Sequence, residues 1–211
     1  MPFVERIAAW LRDKRIFRRE RTPTDKRALG IALYAGGLSY EKSGEAVGVS
    51  RQAVKDWFDR AAEYFRRLRR RRRRRVAMDE KVIHLPDGDA YLWAAVDLDT
   101  GEVTALLVSR GRSGLEALAF LEKVRRKCAG RLPRVFIDGG EWYPWALRQA
   151  GFDRWTVVAF GPRSAIERYF SLVDHRYRRF WERFPFRSTV ESVLRWSEAF
   201  GGVHNMRRSL S

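Results

Sequence analysis

Nine arginines, interrupted only by Leu68, fill residues 66–75, and the hydrophobic pattern changes character across them. A block of like charge that dense does not pack into a core by itself, so it marks a boundary. Before it, apolar residues recur at helical spacing. After it, short apolar runs alternate with turn signals and then with helical stretches, which is the mark of an α/β domain. The expected organisation is therefore an all-helical domain over residues 1–65, an arginine-rich linker over 66–75 and an α/β domain over 76–211. The charge is divided in the same way. Residues 1–75 carry 22 Lys/Arg against 9 Asp/Glu, and residues 76–211 carry 21 against 17, within a total of +17. Such a basic N-terminal third suits a polyanionic partner, with DNA, RNA or an anionic membrane surface satisfying the charge equally. Apolar residues make up 45% of the chain, enough for a packed core. Cys128 stands alone, which rules out an intrachain disulfide and any Cys-based zinc site. No apolar stretch approaches the roughly 20 residues of a membrane span. The charges Glu5, Arg6, Arg12, Asp13 and Lys14 interrupt any signal-peptide core. A cytoplasmic, nucleoid-associated protein without membrane contact is expected.

In the first domain, Phe3, Val4, Ile7, Ala8, Trp10 and Leu11 predict one helix. Thr22-Pro23-Thr24 closes that segment, and Thr24 is expected to cap a second helix that ends at Gly36-Gly37. Ser39 then caps a short helix to Val47, Gly48-Val49-Ser50 makes a turn, and a longer helix runs from Arg51 to about Phe65 on an apolar stripe of Val54, Phe58, Ala61 and Phe65. This is the layout of a helix-turn-helix, in which the start of the last helix faces base edges. Arg51, Gln52 and Lys55 occupy that place, and Arg and Gln can bond bases bidentately. The alternative reading is a helical hairpin used for dimerisation. Arg69, Arg70, Arg71, Arg72 and Arg73 are expected to bind DNA phosphates without sequence preference, although the run also reads as a solvated linker or a helical extension.

The second domain opens with a predicted strand at 76–84, a turn at Pro86-Asp87-Gly88-Asp89, strands at 90–98 and 103–109, and a helix from Ser113 to about Cys128. A strand at 134–138, a short helix from Tyr143 to Ala150, a strand at 155–160, a long helix from 162 to about 182 and a final helix from Thr189 to Phe200, stopped by Gly201-Gly202, complete the pattern. The order β-β-β-α-β-α-β-α is that of a ribonuclease H-like domain, with a mixed five-stranded sheet flanked by helices.

Three acids suit metal-dependent phosphodiester chemistry by position. Two Mg²⁺ ions roughly 3.5–4 Å apart can activate a hydroxyl, neutralise charge at phosphorus and assist the leaving oxygen, and they take carboxylate ligands on rigid elements. Asp79 interrupts an apolar strand. Asp138 closes another just before Gly139-Gly140. Glu167 lies in the first turns of the long helix. Several rivals stand beside them. Asp97 reads as turn chemistry, Glu80 alternates to the other face of its strand, and Glu141 could cap a helix. His84, His175 and His204 show no metal-ligand spacing. Trp142, Tyr143 and Trp145 read as core or as a platform for an extruded base.

The stretches VAMDEKV, YLWAAVDLDTGEV, SRGRSGLEALAFL, VFIDGGEWYPWAL, AIERYFSLVDHRYRRFWERFP and ESVLRWSEAF resemble the catalytic region of prokaryotic insertion-sequence transposases with the DDE triad, in particular archaeal relatives of insertion sequence family six. With the N-terminal helices the resemblance covers nearly the whole chain. It implies a polynucleotidyl transferase that binds element ends and catalyses metal-dependent DNA cleavage and strand transfer. Asp79, Asp138 and Glu167 would be the catalytic and metal-binding triad, and Mg²⁺ or Mn²⁺ the cofactor, as two ions. The implied partners are the terminal inverted repeats, target DNA and further copies of the chain in a dimer or larger assembly. Two positions depart from the family pattern. Ser164 stands where relatives carry Asn, and Asp174 stands where they carry Lys, with His175 and Arg178 as candidate accessory cations. Two other functions fit the same residues: a catalytically decayed, transposase-derived DNA-binding protein, and a ribonuclease H-like nuclease.

Overall fold

A computed structural model describes residues 2–17, 21–178, 184–185 and 187–208. The chain forms two compact units, Met1–Arg67 with Arg195–Ser211, and Leu68–Leu194.

The first unit is helical: α1 (Phe3–Asp13), α2 (Thr24–Ala35), α3 (Tyr40–Val47), α4 (Arg51–Arg60), α5 (Ala62–Arg66) and the greater part of α9 (Val190–Arg208). Ile7, Leu11, Ile31, Tyr34, Val54, Phe58 and Val203 form its buried interior. Tyr34 stacks on Tyr40 with ring centroids 3.8 Å apart, and the Trp196 indole N–H donates to the Tyr34 hydroxyl at 3.1 Å. The turn between α3 and α4 follows from its residues. Gly48 takes the left-handed conformation, φ 67°, that ends α3, and the Ser50 hydroxyl accepts from the Ala53 amide at 3.2 Å to start α4. A Cβ on Gly44 would stand 2.6 Å from the Val49 carbonyl oxygen, so the turn can fold back on α3 only past a glycine.

Three details of the first unit differ from expectation. Pro23, not Thr24, is the residue flanking α2, and Thr24 is its first helical residue. The long helix expected from Arg51 to Phe65 breaks at Ala61 into α4 and α5. Gly201-Gly202 does not stop the last helix, which continues to Arg208. A Cβ on Gly202 would lie 2.5 Å from the Ala61 carbonyl oxygen, so the glycine admits a close crossing of α9 over the α4–α5 junction.

The second unit is built on β1 (Arg75–Leu85), β2 (Gly88–Asp97), β3 (Val103–Ser109), β4 (Arg134–Ile137) and β5 (Trp155–Val157), with α6 (Gly114–Arg126), α7 (Tyr143–Gln149) and α8 (Ser164–Tyr177). It is a mixed five-stranded sheet of order β3-β2-β1-β4-β5. The first three strands form an antiparallel meander, and β4 and β5 run parallel to β1. Val76 and Met78 share a buried cluster with Trp93, Phe120, Leu121, Val124, Tyr143 and Leu147, which places α6 and α7 on one face of the sheet. Side chains alternate along β1, so Asp79 and Lys81 fall on the opposite face, where each is paired with a residue of α8 or its cap. Ser113 and Glu116 close a reciprocal capping box at the start of α6. The expected extension of α8 to 182 falls partly on residues 179–183, outside the described residues.

The arginine run is not a free linker. Residues 71 and 128 form a parallel bridge, with Ala129 N–H donating to the Arg71 carbonyl at 2.9 Å. Arg73 is 2% exposed, its guanidinium 2.6 Å from Asp97 and 3.3 Å from Glu102, while Arg71 also pairs with Glu102. Asp99 binds both Arg74 and Arg75. The turn from β2 to β3 supplies the carboxylates that let the run pack.

Candidate metal centre

The site forms where β4 leaves the sheet. The β1–β4 pairing joins Arg75–Ala77 to Arg134–Phe136 and ends there. Asp138 follows the last residue of β4, and Gly139 turns the chain away at φ 97°, a conformation open mainly to glycine. The Gly140 amide donates to the Asp138 carboxylate at 3.0 Å and so aims it. A Cβ on Gly140 would meet the Trp142 ring at 2.5 Å, which makes the double glycine a packing requirement as well as a turn. Beyond Ala77 the edge of β1 is open, and Asp79 and Glu80 lie in that opening.

Carboxylate oxygens of Asp79, Glu80 and Asp138 all lie within 4.8 Å of one another. Two of the three acids singled out in the sequence, Asp79 and Asp138, are in this group. Glu80 joins them against expectation, although its strand face was read correctly. Its side chain, 2% exposed, sits on the α6–α7 side, where the Tyr143 hydroxyl donates to it at 2.8 Å and the Arg112 guanidinium stands 3.7 Å away. Alternation sends the neighbouring side chains to opposite faces, but a neighbouring strand on both edges is needed to keep their ends apart. At an open edge both can reach the same point. Glu80 next to Asp79, at the end of the paired segment, was the available signal.

The charges in this opening are not balanced. Burial raises the Asp79 pKa, Asp138 raises it further, and the bond from Arg163, 2.8 Å from its carboxylate, works the other way. Glu80 is pushed up to about 7, first by burial and then by repulsion from Asp138 and Asp79, against the stabilising Tyr143 bond. Burial works against the charge of Arg163, but Asp79, Asp138 and Glu167 together hold its pKa above the ordinary value. Arg163 thus lies among all three carboxylates of the expected triad. Glu167 itself lies in the first turn of α8, exposed, and lines a cleft of about 400 Å³ with Glu80. It is outside the group of three within 4.8 Å. Asp79, Glu80 and Asp138 offer hard oxygen ligands, the type that Mg²⁺ and Mn²⁺ prefer, and these three residues could hold a metal ion.

The remaining expected site residues are dispersed. Arg51, Gln52 and Lys55 are exposed at the start of α4. Two of them are engaged within the helix, Gln52 with Asp56 at 2.7 Å and Lys55 with Asp59 at 2.8 Å. Arg69, Arg70, Arg71 and Arg72 are exposed, whereas Arg73 is committed to its buried ion pair and departs from the expected surface role. His175 and Arg178 line the cleft. The cation that meets Asp174 there is Lys81 of β1, at 3.0 Å, a partner that no sequence pattern singles out. Asp97 accepts from the Asp99 amide as a turn residue, and His84 pairs with Asp89 at 2.7 Å. Tyr143 is fully buried in the core.

No family model matches the chain. The Mos1 transposase chain in a pre-cleavage transpososome aligns at a TM-score of 0.30 with 12% identity, over 98% of this chain and 86% of that one, a likeness too low to support a structural argument. The Aquifex aeolicus protein "Uncharacterized protein aq_aa24" is 37% identical over 60 residues, 28% of this chain and 49% of that protein. Over 212 residues, 99% of this chain and 98% of the other, identity reaches 30% with the Methanocaldococcus jannaschii protein "Uncharacterized protein MJ0017", and the chain belongs to the same family as that protein.

Proposed function

We propose that the chain is a DNA transposase that binds element ends and cuts and joins strands with carboxylate-held divalent ions. The observation that carries this reading is the convergence of Asp79 on β1 and Asp138 just past the end of the adjacent parallel strand β4, with Glu80 within 4.8 Å and Glu167 on the neighbouring cleft wall. The strand order 3-2-1-4-5, three antiparallel strands followed by two parallel ones, is the arrangement expected of a ribonuclease H-like sheet. Metal ions bound there would supply positive charge at phosphorus and lower the pKa of the attacking hydroxyl. Asp79, Glu80 and Asp138 would hold them, with Glu167 completing the set. Gly140 aims Asp138, Tyr143 and Arg112 fix Glu80, and Arg163 neutralises Asp79 while its planar guanidinium suits a phosphate bidentately.

In the N-terminal unit, α3, the Gly48-Val49-Ser50 turn and α4 support a helix-turn-helix in which Arg51, Gln52 and Lys55 read base edges. Arg69, Arg70 and Arg72, exposed, suit phosphate contacts, as does Arg71 through the exposed part of a side chain that also pairs with Glu102. Bringing two element ends together calls for at least a homodimer.

The test is Mg²⁺-dependent cleavage or joining of a duplex built from the DNA that flanks the coding region, at whatever short inverted repeats it holds. Asp79→Asn, Asp138→Asn and Glu167→Gln should each slow it by at least about 10²–10³-fold; full activity in all three would refute the assignment. One observation favours a second reading, a DNA-binding protein without catalysis: Arg163 already supplies a cation to Asp79. Specific binding of the repeats with no metal-dependent reaction would decide for it.

A further inference from the structure

The cleft beside the carboxylates is lined by the acids Glu80, Glu167 and Asp174 and by the cations Lys81 and Arg178. Lys81 lies two residues beyond Asp79 on the same strand face, ~6.6 Å along the strand. Asp174 lies seven residues beyond Glu167 on α8, ~10.5 Å along the helix and on the same side. Strand and helix therefore carry parallel rows that start with an acid of the site and end at the Lys81–Asp174 pair, Nζ to Oδ1 3.0 Å.

That pair is poorly explained as a structural bond. The two side chains are 28% and 33% exposed in an open cleft, where solvent screens the attraction and little stability results. An ammonium has three donors. Asp174 takes one, and no other acceptor among the described residues meets Lys81. The carboxylate tethers a flexible four-carbon stem so that the charge stays over the cleft floor. A nucleic acid approaching Glu80, Asp138 and Glu167 meets an excess of negative charge, and a fixed cation one step along the groove offsets it.

We propose that Lys81 binds the substrate phosphate next to the one at the carboxylates, with Asp174 as its positioning residue. This rests on the nucleic-acid reading of the site. The experiment measures binding of the full chain to a terminal-repeat duplex by fluorescence anisotropy, with Ca²⁺ in place of Mg²⁺, over about 50–200 mM salt. Lys81→Met, which keeps the apolar stem, should weaken binding severalfold and reduce the slope of log K against log salt by about 0.9, the loss of one phosphate contact. Lys81→Arg should retain the slope. Asp174→Ala should keep the slope but weaken binding about twofold by releasing the lysine, and Asp174→Glu should restore it. Unchanged slope and affinity in Lys81→Met would overturn the proposal, as would a loss of thermal stability with the slope intact. Tighter binding by Asp174→Ala would overturn the positioning role. A wild-type chain that binds no DNA would instead defeat the functional reading itself.

Discussion

The α/β unit contains two Asp–Arg pairs that share residue types and differ in surroundings. At one, Arg73 and Asp97 have side chains 0% and 3% exposed, and the nearby Arg71 and Glu102 complete a set of two cations and two acids. At the other, Arg163 and Asp79 are 18% and 11% exposed, and Glu80, Asp138 and Glu167 surround them as surplus negative charge. The first set is neutral and closed except at Arg71, whose side chain is 44% exposed, which suits a lock between the arginine run and the β2–β3 turn. The second is open and anionic, and what would balance it is a cation from outside. Composition does not distinguish a structural ion pair from a functional one; the local count of charges and the access to solvent do.

Four substitutions or conditions sharpen this contrast, taken from the largest effect to the smallest. Asp138→Asn should abolish the proposed metal-dependent reaction while leaving the melting temperature of the metal-free protein unchanged or raised, because it removes like-charge repulsion. A fall of several degrees would make Asp138 a structural acid. Arg73→Met should do the reverse, costing about 3–5 kcal/mol because it strands buried Asp97 and Glu102, as read by chemical denaturation. A cost near zero would remove the distinction between the two pairs. Gly202→Ala, in the helical unit, should cost about 1–3 kcal/mol by overpacking against Ala61, measured the same way.

The mildest effect is on pH. The Glu80 pKa is raised from 4.5 to about 7 in the folded chain, so its contribution to stability is complete below about 4.5 and is lost as pH rises through about 7. The metal-free protein should therefore melt at lower temperature at pH 8 than at pH 6, and Glu80→Gln should flatten that difference. Deprotonation also creates the ligand, so metal affinity should rise over the same interval. A Glu80→Gln variant with the wild-type pH dependence would contradict the assignment.

Much of the α/β unit was legible because its turns announce themselves. Pro86-Asp87-Gly88-Asp89, Asp99-Thr100-Gly101 and Gly139-Gly140 punctuate short apolar runs, and the order of those runs matches the strands and helices found. Asp79 was legible as an acid interrupting an apolar strand, and Asp138 as an acid closing a strand just before two glycines. Glu80 was hidden because strand alternation says nothing about where a neighbouring strand ends. The packing of the arginine run was hidden because its neutralising acids, Asp97, Asp99 and Glu102, come from a turn distant in sequence. Gly201-Gly202 reads as a helix stop or as a close helix crossing, and only the position of Ala61 decides between them. The Lys81–Asp174 pair needed the register of α8 on β1, which no local pattern carries.

The most direct test of the account is a Mn²⁺ titration of the metal-free chain at pH 8, followed by electron paramagnetic resonance. Saturable binding that weakens at least about tenfold in both Asp79→Asn and Asp138→Asn is the predicted result. Binding that is absent, or equal in the wild type and both variants, would contradict the claim that these carboxylates form a metal centre.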